Sequence, residues 1–195
     1  SLENYVTGSN GEALTALAAW LAPDNREPLF FLCGESGAGK SHLLQACAAA
    51  CSDARLDREL TSLPAAADPW AVDHLEALTE GGQIVLFNLI NRLHASGGRL
   101  LLAARLPPRL LELREDLRTR LGSGLVYRLS GLSDAEKRAA LAEQARARGL
   151  TLSPAVIDYL FARVPRDMRS LTQLLQALDQ FSLEHKRPIT LPLLR

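Results

Sequence analysis

Five apolar residues in a row, Leu29-Phe30-Phe31-Leu32-Cys33, run straight into Gly34-Glu35-Ser36-Gly37-Ala38-Gly39-Lys40-Ser41. An uninterrupted apolar run this short predicts a strand buried on both faces. Residues from about Ser41 to Cys51 then read as a helix. The octapeptide fits G-x-x-x-x-G-K-[ST] in the setting it requires, with a strand before and a helix after. Glycines let backbone N–H groups turn inward around phosphate oxygens, and the helix N-terminus adds partial positive charge. The loop backbone of Gly34, Gly37, Ala38 and Gly39 is therefore a candidate phosphate cradle. Lys40 would reach the β- and γ-phosphates and the Ser41 hydroxyl would ligate Mg²⁺. The competing reading is a Gly-rich turn with a solvated lysine.

A cradle of this kind needs a nearby strand that ends in an acid holding hydrated Mg²⁺. Trp70-Ala71-Val72-Asp73 is the best candidate, which makes Asp73 the Walker B residue, or else a turn aspartate. The next position is His74, where many P-loop ATPases carry the carboxylate that activates water. Glu76 lies close by in sequence.

The rest of the first 130 residues alternates helix and strand. Helices are predicted at 12–21, 84–95 and up to Leu121, and strands at 99–105 and 125–129, with a short strand possible near Leu60. From Ser133 onward only helical patterns occur. Ser133 with Glu136 forms a capping box, Ser153-Pro154 opens a second helix, and Asp167 caps a third that runs to about His185. The fold class expected is α/β, a P-loop domain with a parallel sheet over 1–130 followed by a small all-helical domain over 131–195.

Composition is that of a globular chain: 195 residues, 47% hydrophobic, 23% charged, net charge zero. The zero conceals a division. Residues 1–98 carry 5 basic and 12 acidic groups, and residues 99–195 carry 17 and 10. This suggests a surface for an anionic partner, or simply two solvated faces. No apolar run approaches the ~20 residues of a membrane span, and the start lacks the basic and apolar regions of a signal peptide. No membrane association and a cytoplasmic location are expected. Cys47 and Cys51, four apart on the predicted helix, would share a face as free thiols rather than a metal site, and Trp20 and Trp70 would be core residues.

Arg99, Arg105, Arg109, Arg114, Arg118, Arg120 and Arg128 crowd one stretch. They could supply a phosphoryl-stabilising arginine, track nucleic-acid phosphates, or form surface ion pairs with Glu112, Glu115 and Asp116, which is the expectation for most of them.

A P-loop domain followed by a small helical domain resembles the AAA+ layout. Asn4-Tyr5-Val6-Thr7-Gly8-Ser9-Asn10 resembles the segment that opens the nucleotide-binding domain of the bacterial initiator DnaA. Gly39-Lys40-Ser41-His42-Leu43-Leu44 resembles its P-loop, the histidine included. Residues 116–124 resemble the segment with its arginine finger, and Asp167-Met168-Arg169-Ser170-Leu171 its sensor 2 segment. The sequence stops where the initiator continues into a helix-turn-helix domain. Together with Asp73-His74-Leu75-Glu76, Asn91-Arg92-Leu93 and Arg105-Leu106-Pro107-Pro108, this makes the chain similar to the Hda-type relatives of DnaA.

The resemblance implies that Asn4, Tyr5 and Val6 lie near adenine and ribose. Gly37, Gly39, Lys40, Ser41 and Asp73 would hold phosphates and Mg²⁺, with Gly34, Ala38 and His42 beside them. Arg169 would be sensor 2, and Arg120 an arginine finger offered to a neighbour's nucleotide. ADP or ATP would be the ligand. DnaA would be the partner, together with the sliding clamp through an N-terminal peptide that is absent from this sequence. Homodimerisation and direct DNA contact stay open. Ala104 stands at the sensor 1 position, and residues 52–69 are short for the strand and helix expected there. Gln173-Leu174-Leu175 reads as packing rather than as a clamp peptide. The implied function is a regulator that promotes ATP hydrolysis by DnaA. The alternatives are an autonomous AAA+ loader or motor acting on a helicase or DNA, and a small-molecule kinase.

Overall fold

The computed structural model describes residues 5–62, 67–165, 167–185 and 189–190, without the side chain of Arg169. The chain divides into two compact units, Ser1–Gly131 and Leu132–Arg195.

The first unit is built on five parallel strands. They are β1 (Leu29–Cys33), β2 (Ala50–Asp53), β3 (Trp70–Asp73), β4 (Leu100–Ala104) and β5 (Leu125–Arg128), in the order β2-β3-β4-β1-β5. The continuous apolar runs predicted to be buried strands are β1, β3 and β4, and all three are buried throughout. Their side chains alternate between the faces of the sheet. Leu29, Phe31, Val72, Leu100 and Leu102 enter the core under α3 (Glu80–Ser96) and α4 (Glu115–Gly122). Phe30, Leu32, Ala71, Leu101 and Ala103 enter the core with α1 (Gly11–Leu21) and α2 (Lys40–Cys47). A parallel sheet needs both faces covered, and these runs have no polar face to offer water. Phe31 has no exposed surface. Phe31→Ala is therefore expected to lower stability by about 3–5 kcal/mol, read from urea unfolding. A loss below about 1 kcal/mol would contradict this packing.

Two local expectations are corrected. The helix after the Gly-rich loop stops at Cys47 rather than near Cys51. Ala48 is extended, and Ala50–Asp53 pairs with Trp70–Asp73 as β2. Cys51 therefore lies exposed on an edge strand and shares no helical face with Cys47. Alanine propensity favoured the helix, but strand pairing available only in the tertiary fold decided otherwise. No strand forms at Leu60. It is a buried residue at φ 51°, in a loop where the Asp57 carboxylate accepts from the Thr61 and Ser62 N–H groups. Residues 54–62 hold no helix.

Trp20 and Trp70 are buried as expected. Arg99 is used structurally. It pairs with Asp68 at 3.1 Å, donates to the Trp20 carbonyl and lies over the Trp20 ring.

The second unit packs α5 (Asp134–Ala147), α6 (Pro154–Arg163) and α7 (Met168–His185) around Leu141, Ala145, Ile157, Phe161, Leu171 and Leu175. The caps are those the sequence implies. Ser133 and Glu136 form a capping box, Ser153 accepts from the Val156 N–H, and Asp167 accepts from the Ser170 N–H at 2.8 Å. Leu174 and Leu175 are packing residues. Among the described residues no helix is long and apolar enough to cross a membrane.

Candidate nucleotide site

The Gly-rich loop leaves the C-terminal end of β1, between β4 and β5. Two close approaches explain its glycines. A Cβ on Gly34 would sit 2.3 Å from the Leu129 carbonyl oxygen. Gly39 has φ +93°, and a Cβ there would sit 2.6 Å from the Tyr5 ring. At Gly37, by contrast, an added Cβ would meet open space, so the crest of the loop is free to receive a ligand.

Lys40 is the first residue of α2 and is buried. Its ammonium donates to the Gly34 carbonyl at 2.6 Å and the Glu35 carbonyl at 2.9 Å. Burial lowers its pKa, and the negative charges of Asp73 and Glu76 oppose that shift. The charge is thus held at the mouth of the loop by weak neutral acceptors, for which phosphate oxygens are a stronger replacement. Ser41 follows on the same turn and is half-buried.

Asp73 ends β3, separated from β1 by β4. Its side chain is buried, and one oxygen accepts from the His74 N–H at 2.8 Å. His74 takes a left-handed backbone at φ 57°. Its Nδ1 is buried 3.2 Å from Asp53 and 3.5 Å from Asp73, without a hydrogen bond to either. Glu76 accepts from the Arg105 N–H at 3.3 Å, and the Arg105 carbonyl accepts from the Gly34 N–H. This ties the ends of β3, β4 and β1 together. Ala104, at the end of β4, offers no polar group beyond its backbone.

Sequence reasoning missed two residues here. Asp53 ends β2 in register with Asp73. The Arg55 guanidinium hydrogen-bonded to it holds its carboxyl down at about 2. A depressed carboxyl pKa contributes stability that is complete above about pH 4 and is lost as pH falls through about 2. Asp53→Asn is expected to flatten that part of the acid-unfolding curve, and an unchanged curve would count against the pairing. The signal for Asp53 was hidden with β2 itself.

The second is Asn10. Its Nδ2 donates to the Ser130 carbonyl at 3.0 Å and to the Tyr5 hydroxyl at 3.3 Å, and its Oδ1 accepts from the Ser130 N–H at 2.8 Å. The Tyr5 hydroxyl donates to the Ala38 carbonyl at 3.1 Å. Tyr5 is thereby seated on the loop, and its ring centre lies 6.0 Å from that of His42. Burial raises the Tyr5 pKa, which keeps the hydroxyl a donor. Val6 follows, half-buried. Asn4 lies outside the described residues. Arg169 lies in the first turn of α7, and its side chain is outside what is described.

Arg120 is on the last turn of α4 and is exposed. With Phe87, Asp116, Thr119 and Ser123 it lines a depression of about 440 Å³. Arg114 pairs with Asp116 and Arg118 with Glu115, but Arg99 pairs with Asp68 instead, and among the described residues Arg105, Arg109, Arg120 and Arg128 make no ion pair, so the expected pairing holds for two of the seven rather than most. The Arg120 guanidinium has no ion-pair partner among the described residues. The structure therefore brings the loop, Lys40, Ser41, Tyr5 and Asp73 to one end of the sheet and leaves Arg120 on a separate face of α4.

The residues at the sheet end fit a nucleotide phosphate chain. The loop crest is open, a buried ammonium faces it, and a buried carboxylate stands two strands away. Among the described residues no group of three or more His, Cys, Asp or Glu could hold a metal alone. Mg²⁺ characteristically takes one or two protein oxygens and completes its shell with phosphate and water, so Ser41 and Asp73 suit it.

A parallel sheet in the order β2-β3-β4-β1-β5, with a Gly-rich loop after β1 and a separate helical unit, is the AAA+ fold. The chain is similar in fold to domain III of the replication initiator DnaA from Thermotoga maritima, at 21% identity over 98% of this chain and 92% of that one, with TM-score 0.76. It is also similar to AMPPCP-bound DnaA from Aquifex aeolicus, at 22% identity over 91% and 64%, TM-score 0.72. The RuvB branch migration motor of Thermotoga maritima matches at 19% over 93% and 64%, TM-score 0.64. Residues 134–195 match the family described as Hda, lid domain. Residues 134–195 thus carry a Hda-type lid sequence, and the chain as a whole has the fold of DnaA domain III.

Proposed function

We propose that this chain is a cytoplasmic regulator of replication initiation that promotes ATP hydrolysis by DnaA, together with the sliding clamp, by presenting Arg120 to the initiator's bound ATP. The observation that carries the reading is the contrast along residues 114–120, the start and body of α4. Arg114 and Arg118 are neutralised by neighbouring carboxylates, while Arg120 is unpaired beside a depression open to solvent. A guanidinium placed in trans offsets charge that develops on a transferring phosphoryl group. The Hda-type lid sequence supports the same assignment.

The chain's own site would bind ADP or ATP, with phosphates on Lys40 and the loop backbone and Mg²⁺ on Ser41 and Asp73. Bound Mg²⁺ neutralises phosphate charge. Arg169 would reach the nucleotide from the lid, and Asn4, Tyr5 and Val6 would border its base and ribose. Weak turnover of its own ATP is expected. The residue after Asp73 is His74, whose Nδ1 faces two carboxylates, and the Glu76 carboxylate is engaged by the Arg105 N–H.

The test is ATP turnover by the chain alone, and then with ATP-loaded DnaA and the clamp on DNA. Turnover confined to the mixture is the expected result. Vigorous turnover by the chain alone would favour an autonomous loader or motor instead.

A further inference from the structure

Among the described residues, four polar or charged side chains are buried: Asn10 at 4% exposure, Lys40 at 7%, Asp73 at 4% and Gln83 at 8%. The first three belong to the nucleotide cradle. Gln83 does not touch it. It lies in the first turn of α3, where an apolar side chain would fill the same space. A buried carboxamide is costly unless both of its ends are bonded, and where one is kept it specifies a particular arrangement.

Both ends of Gln83 are bonded, and each reaches a different element. Its Oε1 accepts from the N–H of Arg114 at 2.8 Å. Arg114 is the residue before α4, and its own side chain makes no capping hydrogen bond there. Its Nε2 donates to the Leu78 carbonyl at 3.4 Å. Leu78 closes the one-turn helix Leu75–Ala77 that follows Asp73 and His74. That turn is anchored to the cradle by Glu76, which accepts from the N–H of Arg105. On its other side the Ala77 carbonyl accepts from the Arg58 guanidinium at 2.8 Å. The α4 helix is itself stiffly seated, with Leu117 and Leu121 buried against Leu86, Leu89 and Ile90 of α3.

We infer that Gln83 is a positioning residue that couples occupancy of the chain's own nucleotide site to the placement of α4, and so of Arg120. The route is short and continuous: Asp73, the turn at 75–78, the Gln83 carboxamide, the Arg114 N–H, α4. A shift of the turn when phosphate and Mg²⁺ engage Asp73 moves Leu78. The carboxamide can follow only by moving or releasing Arg114. The inference rests on the assignment of Arg120 as the group offered to DnaA.

The experiment uses the full chain without DnaA, so its outcome is separate from the turnover assay. Amide hydrogen exchange of residues 115–122 is measured with and without ADP and Mg²⁺. In the wild type the exchange of α4 is expected to change by about fivefold or more on binding, the lower end of typical coupling between sites. In Gln83→Met, which fills the same space without either bond, that response is expected to disappear while ADP affinity stays within about twofold. Arg114→Pro tests the same link from the other side. Its φ of −53° suits proline, which deletes the N–H to Gln83 in addition to what Arg114→Ala removes. Loss of the response in Arg114→Pro with its retention in Arg114→Ala supports the coupling, even where Gln83→Met proves too unstable to measure. An α4 that ignores ADP in the wild type, or that responds equally in Gln83→Met or Arg114→Pro, overturns it.

Discussion

Replacing Arg120 with alanine is expected to cut the stimulated ATP hydrolysis of DnaA by about 10³-fold or more, the range measured for arginines supplied in trans to NTP sites. The size follows from where such a group acts. An exposed arginine contributes almost nothing to the stability of its own chain, because water screens it and it holds no partner. The same guanidinium, moved into a water-excluded site on another molecule, meets charge that exists only in the transition state. Arg120→Ala should therefore fold normally and bind ADP as tightly as the wild type, since the structure places Arg120 on α4 and away from the loop. Arg118→Ala serves as the matched control. Arg118 lies on the same helix but is neutralised by Glu115 at 2.9 Å, so its loss should change stimulation little. Equal losses in the two variants would point to a general charge effect of α4 and would remove Arg120 from its assigned role.

Replacing Lys40 with alanine is expected to weaken ADP binding by roughly a hundredfold, equivalent to about 3 kcal/mol, as read by isothermal titration calorimetry. The ammonium is buried and already aimed at the loop, held by the Gly34 and Glu35 carbonyls. Phosphate oxygens would take over charge-assisted hydrogen bonds for which the lysine needs little rearrangement, and preorganisation of this kind makes one contact count for much. The substitution also leaves two loop carbonyls without their donor, so its circular dichroism must match the wild type for the affinity to be interpreted. Unchanged affinity would mean that nucleotide is held elsewhere.

Most of the central fold was legible because the signals are local. Leu29–Cys33 and Leu100–Ala104 are apolar without a break, and only a strand buried on both faces uses such a run. The octapeptide between Cys33 and His42 carries its own geometry, since its glycines and lysine meet the needs of a phosphate cradle whatever surrounds them. The three lid helices announce their starts through Ser133, Ser153 and Asp167, whose side chains bond backbone groups three residues away. The paired state of Arg114 and Arg118 also followed from neighbours close in sequence.

What escaped the sequence depends on partners far along the chain. Residues 48–51 read as the end of a helix, and only the edge of β3 makes Ala50–Asp53 a strand, which then carries Asp53 into line with Asp73. Asn10 reads as a turn residue, yet its partner Ser130 is 120 positions away. Gln83 falls just before the helix read over 84–95, and its meaning comes from Leu78 and Arg114 meeting on either side of it. The sequence alone determined the Gly-rich loop between strand and helix, the helical lid and the buried strands, because hydrophobic runs, glycines and caps act over a few residues. The tertiary structure alone decided which polar groups are buried together and which arginines are paired, because burial and pairing are properties of elements brought into contact.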